Sequence, residues 1–127
     1  MFQILSGFPD DVLAMSATGK VTAEDYDQVL VPAVEAKMLQ HRPLKLFFHF
    51  GPQYDGMEIG AMVEDARLGI AHWRDWGRIA VVTDSGLLRD AIGFFALMFH
   101  HPFRLFFNAD YGKAKAWIEE RRSEQAA

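Results

Sequence analysis

The sequence predicts a single α/β domain over residues 1–127, with a mixed five-stranded sheet and four helices. The stretch 78–107 reads as strand, turn, apolar helix and strand, a unit that implies two parallel strands joined by a right-handed crossover. Strand and helix patterns alternate after residue 20, which is typical of α/β folds. A chain of 127 residues has the length of one domain and buries about two-thirds of its unfolded surface.

Two strands open the chain, at Phe2–Leu5 and Val12–Ala17. Turn-forming residues fill the short connection between them, so we expect an antiparallel hairpin. Gly19 is expected to end the second strand.

The first helix begins at Thr22, whose hydroxyl can cap it, with Asp25 three residues later as the partner in a capping box. The apolar spacing continues through Met38, and we expect one helix that ends near Gln40. Because Pro32 has no N–H to donate, the helix should bend there.

The best strand pattern in the chain is Leu44–Phe50, which we place at the centre of the sheet. Residues 51–56 are then expected to form a loop at the sheet edge where open α/β folds bind ligands. His49 is expected to be a hydrogen-bonded core or edge histidine, with a proton-handling role as the alternative. The second helix opens at Met57 or the next residue and stops at Gly77. Its apolar side comprises Ile59, Met62, Val63, Ala66, Ile70 and Trp73.

The remaining elements are a strand at Ile79–Val82, an apolar helix at Leu87–Phe99 and a strand at Arg104–Phe107. Residues 108–110 are expected to cap a last helix. The inward face of that helix comprises Tyr111, Ala114, Trp117 and Ile118. The polar tail from Arg121 is expected to fray.

Composition excludes several functional classes. A net charge of −4 and a pI near 5.7 argue against a nucleic-acid partner. The lack of cysteine excludes disulfides and thiolate sites. No run of 18 apolar residues occurs, so we expect no membrane span. Without cysteine, a signal-peptide pattern or a lipidation motif, a cytoplasmic location is the default expectation.

The motifs of common enzymes are absent, so we expect no enzyme activity, catalytic residue or cofactor. The sequence has neither a glycine-rich nucleotide loop nor a Gly-x-Ser-x-Gly elbow. A small hydrolase is an alternative, because Ser85, His100 and Asp84 can be written as a triad, although nothing in the sequence fixes their geometry. Turnover that Ser85→Ala or His100→Ala abolishes would favour the enzyme.

No metal site is expected either. His100 and His101 with His72 or Asp90 are the best candidates. Adjacent histidines point in different directions on a helix, and the negative end of the helix dipole explains them more simply.

Several weak motifs, taken in their order and spacing, resemble a known family. They are Gly19–Thr22, Asp25–Tyr26, Leu30–Ala33, the phenylalanine-rich strand with Tyr54–Gly56, Trp76–Val82, Asp110–Tyr111 and Ala114–Trp117. On these motifs, almost the whole chain is similar to the SpoIIAA-like family, which is allied to STAS domains and more loosely to CRAL-TRIO lipid-binding folds. The resemblance implies a β–α sandwich, a small cytoplasmic bacterial protein and no established enzyme activity.

STAS anti-anti-sigma proteins carry a phosphorylated serine in a turn after a central strand. The comparable residues here, 55–58, contain no serine or threonine. A similar turn, Asp84–Ser85–Gly86, follows the next strand, so a phospho-regulated switch at Ser85 is an alternative, since a phosphate is stabilised at a helix N-terminus. The simpler interpretation is that Asp84 or Ser85 caps the apolar helix.

The helix 87–99 has more apolar surface than packing on a sheet requires. One stripe comprises Leu88, Ala91, Ile92, Phe95 and Phe99, and a second group, Leu87, Phe94, Leu97 and Met98, falls outside it. A second copy of the chain, an apolar ligand, a membrane surface or a neighbouring part of the monomer could cover that group.

We therefore expect a non-enzymatic binding or regulatory module. If the occupant is an apolar or lipid-like ligand between neighbouring helices, the expected contacts are Tyr54, Met57, Met62, Leu87, Phe94, Leu97 and Met98. Phe94→Asp or Met98→Asp is expected to change association or ligand retention and leave the fold intact.

Overall fold

A five-stranded sheet forms the centre of the computed structural model, which describes residues 1–72, 74–99 and 103–120, with the backbone alone at residues 70 and 95–99. The strands lie side by side in chain order, with the first antiparallel to the second and the rest parallel. They are β1 (Phe2–Ile4), β2 (Val12–Val21), β3 (Leu44–Met57), β4 (Trp76–Thr83) and β5 (Phe103–Phe106). This confirms the predicted mixed sheet and its antiparallel first strand.

Four helices connect and follow these strands. Helix α1 has three consecutive segments, Ala23–Asp25, Tyr26–Leu30 and Val31–Met38. The others are α2 (Ile59–Ala71), α3 (Gly86–Phe99) and α4 (Tyr111–Glu119). No helix in the described part of the chain has the length and apolarity needed to cross a bilayer.

The helices cover the two faces of the sheet unequally. Side chains from α1, α2 and α3 share one core with one sheet face, whereas α4 packs on the other face. Strands in chain order with right-handed crossovers require this, because each crossover steps in the same direction and so lies on the same side. Alternation along β3 shows the division, with Phe47 in the α4 core and Phe48 in the core beneath the three crossover helices.

A π-helical turn precedes Pro32, where the sequence predicts a bend. The segment Tyr26–Leu30 is π-helical, and the Val31 N–H donates to the carbonyl of Tyr26, five residues earlier. Pro32 has no N–H and so cannot continue the α-helical hydrogen-bond pattern. The wider turn before it changes that pattern at the same place. The capping box is confirmed, since the Thr22 hydroxyl accepts from the Asp25 N–H at 3.1 Å and the Asp25 carboxylate accepts from the Thr22 N–H at 2.8 Å.

The loop predicted at residues 51–56 is wrong, because β3 continues through it to Met57. It can do so because β2 also continues, past a glycine in the left-handed region (Gly19, φ 63°) to Val21. The two extensions pair Gly19 with Tyr54 and Val21 with Met57, across shifts in register. Each strand thus supplies the hydrogen-bond partners that keep the other extended.

The helix stop predicted at Gly77 is also wrong. Helix α2 ends at Ala71, and Gly77 lies inside β4. A Cβ at Gly77 would come within 3.3 Å of the Lys45 side chain and 3.5 Å of Pro43, so the glycine permits close packing of neighbouring strands. Trp73, which we assigned to the apolar side of this helix, lies outside the described residues, as does the tail from Arg121.

Residues 108–110 precede the last helix as a 3₁₀ turn. Asp110, at the N-cap, makes no side-chain capping hydrogen bond, so the predicted side-chain cap is wrong there. The turn itself satisfies part of the helix start, because the Asp110 N–H donates to the carbonyl of Phe107.

A buried lysine on β3 anchors the end of α4. The ammonium of Lys45 donates to the carbonyls of Ile118 at 2.9 Å and Glu120 at 3.2 Å. The guanidinium of Arg78 on β4 donates to the neighbouring carbonyl of Trp117 at 2.8 Å. Two strands thus satisfy carbonyls that the end of a helix leaves without an intrahelical partner.

We predict that Lys45→Met lowers the free energy of unfolding by about 1.5–3 kcal/mol, the usual contribution of hydrogen bonds to a charged group. Urea titration measures the change. The control is Lys37→Met, because Lys37 donates to the carbonyl of Asp10 in a solvent-exposed position, where about 0.5 kcal/mol or less is expected. Equal losses in the two variants would contradict the proposed anchor.

Candidate functional site

A cavity of about 810 Å³ lies between the sheet and helices α2 and α3. Small-molecule sites in proteins occupy about 300–1,000 Å³. Its floor is the sheet face that also carries the core beneath the crossover helices, and its floor residues are Leu46, Phe48, Phe50, Ile79, Val81 and Phe103. The cavity volume falls within the range of small-molecule sites.

The cavity walls are mostly apolar side chains from the two helices and the end of β3. From β3 and α2 they are Tyr54, Met57, Met62, Ala66, Leu68 and Gly69, and from α3 they are Leu87, Leu88, Ala91 and Ile92. Trp76 also contributes, with its indole N–H donating to the carbonyl of Gly69 at 3.3 Å. Such a surface favours an apolar occupant.

The space stays open because the helices present small residues to it. Ala66 and Gly69 lie three residues apart, on one stripe of α2. A Cβ on Gly69 would meet nothing within 4 Å. Ala91 has the corresponding role on α3. Helices with larger residues at these positions would fill the cavity.

The opening is bordered by lining residues that are also exposed. They include Met62 and Leu87 on the helices, and Lys20 and Asp55 at the extended ends of β2 and β3. The mouth is therefore partly charged, and the carboxyl ends of the strands lie beside it.

Two residues of the cavity lining, a tyrosine and a carboxylate, form a hydrogen-bonded pair. The buried Tyr26 hydroxyl donates to Asp65 Oδ1 at 3.0 Å. Burial, followed by the charge of Asp65, holds the pKa of Tyr26 well above its usual value. Desolvation by the surrounding protein raises the pKa of Asp65, and the hydrogen bond from Tyr26 only partly opposes this shift. Burial also raises the pKa of Tyr54.

The structure brings four of the seven predicted ligand contacts to this cavity. Tyr54, Met57, Met62 and Leu87 line it. Phe94 does not line it, and 63% of its surface is exposed. The side chains of Leu97 and Met98 lie outside the described part of the chain, as do those of Phe95 and Phe99.

Ser85 caps helix α3. Its hydroxyl accepts a hydrogen bond from the Leu88 N–H at 3.3 Å, and its own N–H donates to the Thr83 hydroxyl at 3.1 Å. Asp84 instead accepts from the Asn108 N–H at 2.9 Å. Ser85 thus has the capping role that we gave as the simpler interpretation, while it also lines the cavity. Its modification stays a prediction.

The described residues do not support the catalytic triad or the metal site that the sequence offered as alternatives. His100 and His101 lie outside the described residues, so the triad and the metal pair stay without a structural test. His72 lies 2.9 Å from Glu35 and 3.3 Å from Asp75, in a bridge between helices. Within the ranges that the structure describes, no group of three or more metal-ligating side chains is suitably placed.

His49 lies on the sheet face opposite the cavity. Its ring contacts Tyr111 edge-on, with centroids 4.8 Å apart. Burial lowers the pKa of His49, and the neighbouring Asn108 side chain partly opposes this shift. His49 is therefore a half-buried histidine packed against Tyr111, and its proton-handling role stays a prediction.

Sequence reasoning missed the pair of Tyr26 and Asp65. The two residues are 39 positions apart in the sequence. One signal was present, because Asp65 follows Met62 by three residues and so falls on the apolar side of α2. No local pattern could have shown which tyrosine reaches it.

Comparison with known proteins supports the fold. The family model described as SpoIIAA-like matches residues 12–119. A crystal structure of an uncharacterized DUF3478-family protein with a SpoIIAA-like fold, from Shewanella loihica PV-4, superposes with a TM-score of 0.71 and 26% identity. The match covers 92% of this chain and 93% of the Shewanella chain. Among curated proteins, none matches this sequence.

Proposed function

The chain belongs to the SpoIIAA-like family, and from that premise we propose that it is a non-enzymatic binding or regulatory module that takes an apolar small molecule into the cavity. The observation that carries the proposal is the apolar cavity of about 810 Å³ beneath α2 and α3. We also propose that the protein acts in the cytoplasm, as expected from its sequence.

Apolar burial supplies the driving force for such binding. Each methylene that leaves water for an apolar site contributes about 0.8 kcal/mol. An apolar occupant would also gain dispersion contacts with the cavity lining. Met57 and Met62 are flexible, polarisable side chains that adapt to the shape of a ligand. A molecule with a long or multi-ring hydrocarbon part fits this surface best.

Titration with the neutral fluorescent probe N-phenyl-1-naphthylamine tests the proposal. We expect saturable binding of one probe per chain, with competition by aliphatic molecules. Native mass spectrometry of the purified protein adds a second measurement, in which a retained apolar molecule appears as added mass. Probe emission that rises without saturation, or does not rise at all, would contradict a defined site.

The exposed ring of Phe94 favours a second candidate role, in association. This side chain lies on α3 but outside the cavity, so an apolar ligand within the cavity does not cover it. We propose that this part of α3 contacts a second copy of the chain. A membrane surface is the alternative partner of Phe94. The net charge of −4 on the protein makes binding to anionic lipid unfavourable.

We predict that Phe94→Asp lowers the subunit count in native mass spectrometry while probe affinity stays within about twofold, since a charged side chain at an apolar contact is left unpaired. The control is Leu39→Asp, because Leu39 is another exposed apolar residue and directly follows α1. A wild-type protein that is already monomeric would refute the second copy. Loss of vesicle binding in Phe94→Asp would favour the membrane instead.

A further inference from the structure

Asp65 is the feature of the cavity that an entirely apolar ligand does not explain. Its side chain is exposed and lines the cavity, and one of its oxygens accepts from the Tyr26 hydroxyl at 3.0 Å. Across residues 1–72, 74–99 and 103–120, no lysine, arginine or histidine forms an ion pair with it. Its charge therefore has one neutral hydrogen-bond donor.

A carboxylate can accept about four hydrogen bonds, and Tyr26 supplies one. In an open cavity, water satisfies the rest. An apolar occupant that displaces this water leaves the carboxylate with the Tyr26 hydroxyl as its one donor, and removing water from an ionised carboxylate without replacing its hydrogen bonds is unfavourable. A ligand that carries a donor at this point avoids that cost and gains a charge-assisted hydrogen bond.

We infer that the ligand is an apolar molecule with a hydrogen-bond donor, a hydroxyl or a protonated amine, that binds Asp65 beside Tyr26. The inference rests on the proposed function, because it needs the cavity to be the binding site. The raised pKa of Asp65 agrees with it, because desolvation by the surrounding protein disfavours the charged form more than the hydrogen bond from Tyr26 favours it.

The other polar groups that face the cavity do not replace this donor. Asp55 adds a second carboxylate, the Tyr54 hydroxyl is neutral, and the Ser85 hydroxyl caps α3 by accepting from the Leu88 N–H. Lys20 is exposed at the mouth and forms no ion pair with Asp65 in the described part of the chain. A ligand carboxylate would meet the negative charge of Asp65, so the cavity selects against fatty acids relative to the matching alcohols and amines.

Four probes of equal chain length test the inference, namely dodecanol, dodecylamine, dodecanoic acid and dodecyl methyl ether. Each competes with N-phenyl-1-naphthylamine below its micelle concentration. We expect the alcohol and the amine to bind about 10–100-fold more tightly than the ether, which is the effect of one hydrogen bond to a charged acceptor. The acid should bind no better than the ether.

Two variants assign the effect to the carboxylate. Asp65→Asn keeps the shape and the acceptor for Tyr26 but removes the charge, so the preference for the amine over the ether should fall by about tenfold or more. Tyr26→Phe removes the hydroxyl and keeps the charge, so the preference for the amine should remain.

The outcomes separate this inference from the proposed function. Equal binding of all four probes, tightest binding of the acid, or an unchanged preference in Asp65→Asn would overturn the role of Asp65 and leave the cavity as an apolar site. If no probe binds the wild-type protein, both proposals are wrong.

Discussion

Replacing Gly69 by leucine is expected to make the domain more stable and, at the same time, unable to bind apolar probes. Gly69 lies in helix α2 on the cavity wall, and a Cβ there meets nothing within 4 Å. A leucine side chain would occupy the space that a ligand needs. Crowding of this kind costs about 1–3 kcal/mol, so affinity should fall by about tenfold or more. Because leucine has a higher helix propensity than glycine, the change should also stabilise the fold by about 0.5 kcal/mol.

The control for this prediction is Gly93→Leu. Gly93 lies in α3, has the same open space around a Cβ, and does not line the cavity. It should gain similar stability and retain wild-type probe affinity. Urea titration and probe titration on both variants give the two quantities. If Gly69→Leu binds the probe as tightly as Gly93→Leu does, the probe does not occupy the cavity.

Truncating two neighbouring phenylalanines on β3 is expected to have unequal effects on stability. Phe47 is fully buried in the α4 core, where its ring contacts Phe8 at 4.8 Å and Tyr111 at 5.4 Å between centroids. Phe47→Ala should therefore cost about 3–5 kcal/mol of unfolding free energy. Phe48 is 9% exposed and borders the cavity, so Phe48→Ala should cost about 1.5–3 kcal/mol, mainly the lost transfer energy.

Denaturant unfolding of the two variants measures the difference directly. If Phe47→Ala is too unstable to purify while Phe48→Ala folds, the difference in stability between the two variants is at least as large as predicted. Equal costs would mean that the ring of Phe48 is packed as tightly as that of Phe47, and the space beside it would then be no true cavity. Because the two residues are adjacent, strand propensity and position in the sheet are closely matched.

Periodicity and capping chemistry predicted most of the fold. Alternation of apolar runs and helical stripes gave five strands, the parallel crossovers and the antiparallel first strand. The capping box at Thr22 and Asp25 was readable because both partners are local. The continuation of β3 to Met57 was not readable, because a glycine-rich, polar stretch stays extended only when the far end of β2 pairs with it.

The candidate site was predictable only in part, for the same reason. The helix after β4 has more apolar residues than packing on the sheet requires, and methionines occur at and after the end of β3. These two features indicated a ligand site, and Met57, Met62 and Leu87 do line one cavity. Sequence spacing cannot show whether two helices fill or leave the space between them. It also cannot show that Tyr26 reaches Asp65, since that contact depends on the packing of α1 on α2.

The central claim is that the cavity beneath α2 and α3 holds an apolar molecule, and a crystal structure of the protein grown with dodecanol tests it most directly. The account predicts continuous density for the alkyl chain between the sheet and the two helices, with the hydroxyl within hydrogen-bonding distance of Asp65. A cavity that contains only ordered water at saturating dodecanol, or that α3 closes by packing onto the sheet, would contradict it.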